Sequence, residues 1–313
     1  MEELAGRQLL ALLAARAADP VWHELWRAIA FLGSADFFAV ALPVLFAIAP
    51  MRWALRLGLA FAASATTSEA LKAAIGRPRI DPLEFGLPAG LEDPGAYASH
   101  AFPSGHTLMA VVLWGSVAAN ARSPWLRAAC AVLVAAIAFS RLALVRHDLI
   151  DVGGGALIGA VLLVLLVWGE RAWGDSLARL PRVERAGLWL LAALAAHLAT
   201  GLEVTAVVLG VGAGVGVGAI AGAGWKRRTE RTSVALAVPR VVLAVAGVAA
   251  VRWIAEPGDG FTPTTLFALY FVAAVWVAGL VPAALGGVHE TTSDDERIRT
   301  ARPGVARSPR VRT

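Results

Sequence analysis

The chain has 313 residues, 58% of them hydrophobic and only 16% charged, with a net charge of +5. A soluble domain carries roughly 25% charged residues, and several apolar runs here approach or reach the ~20 residues that cross a bilayer as a helix. Composition therefore excludes an ordinary soluble domain and points to an all-α, polytopic membrane protein. The single cysteine, Cys130, excludes an intramolecular disulfide and a cysteine-based metal site.

Residues 5–17 read as an amphipathic helix that ends near Asp19-Pro20. Acids precede its first arginine and no long apolar core follows, so it reads as an interfacial helix rather than a signal peptide. Residues 22–49 are apolar but broken around Gly33 to Asp36, with 36–49 the firm part of a first span. A second span covers 53–75 and stops at Gly76 and Pro78, because the residue before a proline is disfavoured in a helix. Residues 77–102 form a long polar loop whose prolines and glycines break any continuous helix. Structured loops of this length often carry function. Spans follow at 104–120, 126–144 and 149–168, then an arginine-containing loop at 169–186.

The second half continues with apolar runs at 187–199 and 204–223, the latter dense in glycine. Small residues let membrane helices pack closely. The glycines lack the preceding strand and the following acid of a dinucleotide fingerprint. Further spans are expected at 234–254 and 263–286, before a polar, arginine-rich tail that reads as disordered. Five domains result: an amphipathic segment 1–21, a membrane core 22–168, a cytoplasmic loop 169–186, a C-terminal membrane module 187–286 and a basic tail 287–313.

Alternation of nine spans tests this scheme against the positive-inside rule. One face receives Arg52 and Arg56, Arg122 and Arg127, Arg171 to Arg185, Lys226 to Arg231 and the tail. The other receives 77–102, 140–151, 200–203 and 256–260, and the last two hold no Lys or Arg. Topology thus accounts for the basic residues, which removes the case for nucleic acid. It also places the long loop outside the cytoplasm and the tail inside. Lys72, Arg77, Arg79, Arg141 and Arg146 gather on the outer face against the rule. Cations in that position, grouped round one loop, indicate an anion site.

Three segments converge there: Lys72 to Arg79, the Pro103-Ser104-Gly105-His106 turn, and Ser140 to Asp151. His147 and Asp151 are four apart and share a helical face. An aspartate accepting from one imidazole nitrogen leaves the other available as a nucleophile. His106 opens a helix whose N–H groups favour anions, and it can serve as acid and base. Cations and a helix N-terminus suit the charge of a phosphoryl group in transit. His100, Asp148 and Glu69 are lesser candidates, Asp148 as a helix cap and Glu69 as a partner of Lys72. His197 and Glu203 read as a polar pair between later helices.

The spacing resembles the type 2 phosphatidic acid phosphatase family, within the lipid phosphate phosphatase and haloperoxidase-like superfamily. Its pattern is Lys, six residues, Arg-Pro; then Pro-Ser-Gly-His; then Ser-Arg, five residues, His, three residues, Asp. The second and third blocks match in full, at 103–106 and from Ser140-Arg141 through His147 to Asp151. The first matches at Lys72 and Arg79, but Ile80 stands where the family has proline, and Arg77-Pro78 offers an Arg-Pro pair two residues early. The resemblance covers about 22–168 and leaves the C-terminal four spans aside.

It implies a bundle of about five spans and a lipid phosphate as substrate. His147 attacks phosphorus, Asp151 orients it, and His106 protonates the leaving oxygen and then activates water. Lys72, Arg79 and Arg141 hold the phosphate, with Ser104 and the Gly105 N–H assisting and Arg77 as a helper. No metal or cofactor is implied. A phosphotransferase would use the same residues with an alcohol in place of water. A transporter or lipid-binding protein would leave the site vestigial, which the intact His106, His147 and Asp151 oppose.

Overall fold

The computed structural model describes residues 2–17, 19–49, 51–85, 100–200, 203–221, 234–254 and 261–281. Among them are helices and no strand. Helix α1 spans Glu2–Ala17, α2 Pro20–Phe31, α3 Ala35–Ile48 and α4 Met51–Ile75. A short 3-10 turn, Pro82–Phe85, precedes α5 (Gly105–Asn120), α6 (Pro124–Ala143) and α7 (Leu149–Arg179). Then come α8 (Arg182–Thr200), α9 (Glu203–Ala221), α10 (Val234–Ile254) and α11 (Pro263–Val275), which runs into a π-helical turn at Trp276–Leu280.

Local chemistry explains the boundaries. Asp19 caps α2, its carboxylate accepting from the Val21 N–H at 2.8 Å, and Pro20 occupies the first turn, where its missing N–H costs nothing. Ser34 caps α3 by accepting from Phe37 at 3.1 Å. Gly76 ends α4 in the left-handed region at φ +64, its N–H bonded to the Lys72 carbonyl at 2.9 Å. Glycine suits that position because it has no Cβ to clash.

Among the described residues, three helices are long and apolar enough to cross a membrane: Pro124–Ala143, Leu149–Ala172 and Pro263–Leu280. The α2–α3 pair, bent by 46°, makes a fourth if it counts as one broken span. The other expected spans are helices too, but shorter in their apolar part or charged at their ends. α5 has 16 residues, and α4 carries Arg52, Arg56, Glu69 and Lys72. The apolar stretches of α8, α9 and α10 are Ala186–Leu198, Leu209–Gly218 and Ala237–Val251. The chain is a helical membrane protein.

One expectation is corrected. Residues 169–179 are the end of α7, and the connection to α8 shrinks to Leu180-Pro181. Gly169 and Gly174 cost the helix about 1 kcal/mol each against alanine, too little to stop it, whereas Pro181 does. The basic turn at 225–231, the tail, most of 77–102 and 256–260 lie outside the described residues.

Phe38, Leu42 and Phe46 of α3, Leu57 and Phe61 of α4 and Leu108, Val112 and Leu113 of α5 form the main core. Val215 of α9, Ala244 of α10, Ala274 of α11 and Val277 and Ala278 of the π-helical turn belong to it as well. The C-terminal helices are therefore packed into the same core as α3 and α4. Lipid is as apolar as these side chains, so close contact rather than water exclusion holds such helices together. Gly214 and Gly218 of α9 allow it: a Cβ on Gly214 would lie 2.7 Å from that of Ala274, and one on Gly218 3.0 Å from the Val275 Cα.

The alternating helices place α4's end, α5's start, α6's end and α7's start together. At the opposite end Arg56 binds Glu170 and donates to Asn120 Oδ1 at 3.0 Å, tying α4, α7 and α5.

Candidate active site

Helices α5 and α7 meet backbone to backbone. A Cβ on Gly155 would lie 2.6 Å from the Ser104 carbonyl oxygen, and one on Gly159 3.0 Å from that of Leu108. The Phe102 ring packs against Gly154, next to the cis Phe102–Pro103 peptide. The Ser104 N–H donates to the Asp151 carbonyl at 3.0 Å. The Pro-Ser-Gly-His turn is thereby fixed to the first turn of α7. Gly105 is closely packed as well, since a Cβ there would come 2.9 Å from Ser68 Oγ and 3.6 Å from Lys72 Nζ. That second distance places the Lys72 ammonium beside the start of α5. The side chain of Ser104 makes no cap bond to α5; it accepts instead from Thr107 Oγ1 at 3.1 Å.

The α6–α7 connection folds back on Arg141, whose carbonyl accepts from Arg146 at 3.0 Å and His147 at 3.3 Å. Val145 takes a left-handed φ of +54 to make the turn. His147 is buried and its Nδ1 lies 3.2 Å from Asp151 Oδ2, with Asp151 fully buried. Arg141 and Lys72 are buried as well. His106 lies within electrostatic range of Arg141, His147, Lys72 and Arg79. The structure thus gathers all the expected residues: His106, His147, Asp151, Lys72, Arg79, Arg141, Ser104 and Gly105.

Burial is the largest influence on His147 and drives its pKa down to about 4; the Asp151 bond opposes this, and the Arg141 and Arg79 charges reinforce it. The imidazole is therefore neutral at pH 7.

Arg77 faces carboxylates. Its Nη1 and Nη2 donate to Asp148 Oδ1 and Oδ2 at 2.9 and 2.7 Å, and Nη1 also binds Asp151 Oδ1. The Asp148 bonds hold the guanidinium pKa above its usual range. Burial alone would raise the Asp148 carboxyl, but the Arg77 bond and the backbone N–H groups of Asp151 and Ile150 keep it below the usual range. Asp148 also caps α7, accepting from the Asp151 N–H at 2.9 Å. The pairing of Lys72 with Glu69 is present at 2.8 Å. His100 is exposed, near Gly76. His197 stacks on Phe267 with ring centroids 5.2 Å apart, while the side chain of Glu203 lies outside the described residues.

The sequence did not signal the partner of Ile80. Ile80 and Phe85 pack on a buried cluster of Leu10, Ala14 and Ala17 from α1 with Val145, and Arg7 reaches Glu84 at 3.2 Å. α1 therefore lies beside the site. The close contacts of Gly155 and Gly159 were readable only as a four-residue spacing of small residues in an apolar helix. Among the described residues, no group of three or more His, Cys, Asp or Glu side chains is placed to hold a metal ion.

A search of curated proteins finds no match. Among solved structures, the chain is similar to the crystal structure of the first transmembrane PAP2 type phosphatidylglycerolphosphate phosphatase from Bacillus subtilis. The identity is 24%, with 53% of this chain and 87% of that one covered, at a TM-score of 0.43. The family model described as the PAP2 superfamily matches residues 53–175, the stretch from α4 to α7 that carries all three blocks. Over residues 53–175, this membrane protein is similar to the PAP2 superfamily.

Proposed function

We propose that the protein is a lipid phosphate phosphatase that releases phosphate from a phosphomonoester or diphosphate of a lipid, through a phosphohistidine. The observation that carries this reading is the buried His147–Asp151 pair, at 3.2 Å, beside the start of α5 and within the field of Arg141 and Arg79. Bonding through Nδ1 leaves Nε2 as the attacking atom. In the first step Nε2 forms a bond to phosphorus and the bond to the lipid oxygen breaks, while His106 gives that oxygen a proton. In the second, His106 takes a proton from water, the hydroxide oxygen bonds to phosphorus, and the N–P bond breaks. Phosphate leaves and both histidines return to their starting states.

Lys72, Arg79, Arg141 and the first N–H groups of α5 stabilise the charge on the phosphoryl oxygens in both steps. Asp151 stabilises His147 as it becomes positive. A site at the end of a membrane bundle suits an amphiphile, whose tail stays in lipid while its head enters. The basic turns on the opposite face support an extracytoplasmic site with the tail in the cytoplasm.

The test is phosphate release from isoprenoid phosphates, isoprenoid diphosphates and phosphatidate in detergent, with EDTA present. Wild type is expected to act on at least one of them. His106→Ala is expected to lose at least a hundredfold, the range of a general acid or base, and His147→Ala, which removes the nucleophile, at least as much. Full activity of His147→Ala would overturn the mechanism, and loss of wild-type activity in EDTA would overturn metal independence.

A further inference from the structure

Arg77 lies two residues before Arg79, in the same run of cations; Arg79 acts on the charge of His106 and His147, whereas Arg77 is bonded to carboxylates. Gly76 turns the chain out of α4, and the Arg77 carbonyl accepts from the returning Ala101 N–H at 2.9 Å. The backbone there is fixed at both flanks. From it the guanidinium spends three of its five N–H donors on Asp148 and Asp151. These partners are 71 and 74 residues away in sequence, so the contact joins the end of α4 to the first turn of α7.

The Asp151 carboxylate is shared. Oδ1 takes the Arg77 bond and Oδ2 faces His147 Nδ1. Asp151 is fully buried, so these contacts, with the Asp148 N–H donating to Oδ2 at 3.4 Å, fix its rotation, and its rotation fixes the imidazole plane. Asp148 completes the arrangement by holding the other edge of the guanidinium while it caps α7.

We infer that Arg77 is a positioning residue rather than a phosphate ligand: it clamps the Asp148–Asp151 pair, and through Asp151 it sets the orientation and basicity of His147. The inference rests on the phosphatase reading for its role in turnover, though not for its effect on His147. The charged and titratable groups facing His147 are Arg141 from α6, Asp151 from α7, Arg79 from the segment after α4 and His106 from α5. Of these, Asp151 is the group that Arg77 touches. Removing the guanidinium takes away a cation and leaves the Asp151 charge unshared, and both changes favour the imidazolium.

The experiment compares wild type, Arg77→Gln, Arg77→Lys and Arg79→Gln as full-length proteins in detergent. For Arg77→Gln, kcat falls about 10–100-fold, the range seen when a partner that orients a metal-bound histidine is lost. KM and the inhibition constant of inorganic phosphate stay within about twofold. The acid limb of the pH profile moves up by about one unit, as for the loss of a neighbouring charge. Arg77→Lys recovers part of kcat, since an ammonium restores charge without the fork. Arg79→Gln raises KM and weakens phosphate inhibition instead.

A weakened phosphate inhibition with an unmoved acid limb in Arg77→Gln would make Arg77 a phosphate ligand and overturn the inference. Unchanged kcat and an unchanged limb, with a lower melting temperature, would make it structural only and overturn it equally. NMR titration of 13C-labelled histidine reads the His147 shift without turnover. An inactive wild type thus defeats the phosphatase reading alone, and an unmoved His147 titration defeats this one alone.

Discussion

His147 meets the first requirement of a nucleophile, which is an unprotonated nitrogen at working pH. Burial holds its pKa at about 4, below the ordinary 6.5. A lowered value means that the neutral, reactive form persists as the pH drops through 6 and 5, and protonation removes it only near 4. In the pH dependence of kcat/KM, after the substrate's own phosphate titration is divided out, the limb assigned to His147 is expected near pH 4. A limb at 6.5 would show an imidazole exposed to water. His147, Asp151 and Arg141 were legible in the sequence because helical periodicity and one short turn fix their relation over a dozen residues. Arg77 was not. Two arginines in one short segment carry the same charge, and only the fold decides which of them meets the carboxylates of Asp148 and Asp151.

At the scale of helices, the apolar runs gave most of the elements, and the caps at Asp19 and Ser34 set two of the starts. The tail of α7 was hidden because arginine and glycine after an apolar run look alike in a loop and in an exposed helix. The docking of α1 was hidden for another reason: its apolar residues lie on several sides, and only the fold shows that Leu10, Leu13, Ala14 and Ala17 are the ones buried. Here α1 covers Ile80, the position where the first block departs from the family pattern. Replacing Leu10 by Asp puts a charge against Val145 and Ile80. It is expected to loosen the α6–α7 turn and lower kcat several-fold, with hydrogen exchange at 144–147 rising in parallel. Gly155→Val is a sharper test of the α5–α7 contact. With the Ser104 oxygen 2.6 Å from a Cβ, the helices must part, and activity is expected to fall at least tenfold while Gly153→Ala, which meets nothing within 4 Å, keeps it.

At the scale of the whole chain, the C-terminal helices look like an appendage in sequence, because the family blocks stop before them. Packing contradicts that separateness. Val215, Ala244 and Val277 share a core with Phe46 and Leu113. Truncation after Arg185 therefore exposes the inner faces of α3 and α4, and the shortened protein is expected to aggregate on detergent extraction, as size-exclusion chromatography would show. A monodisperse, active fragment would mean that the core closes without them. Orientation is a separate matter: a reporter inserted at 225–231 is expected to read cytoplasmic, and one near Asp93 external.

The backbone contact between α5 and α7 has a consequence for the membrane in which the protein sits. Bilayers differ in thickness by several ångströms between compartments and compositions, and helices answer a mismatch by tilting or sliding. Two helices separated by bulky side chains can respond independently. Helices locked at Gly155 and Gly159, with Ser104 bonded to the Asp151 carbonyl, must tilt as one body, carrying His106 and His147 together. The spacing of the two histidines is in this way insulated from the lipid around it, and phosphate release is expected to vary less with acyl-chain length than the stability of the protein does.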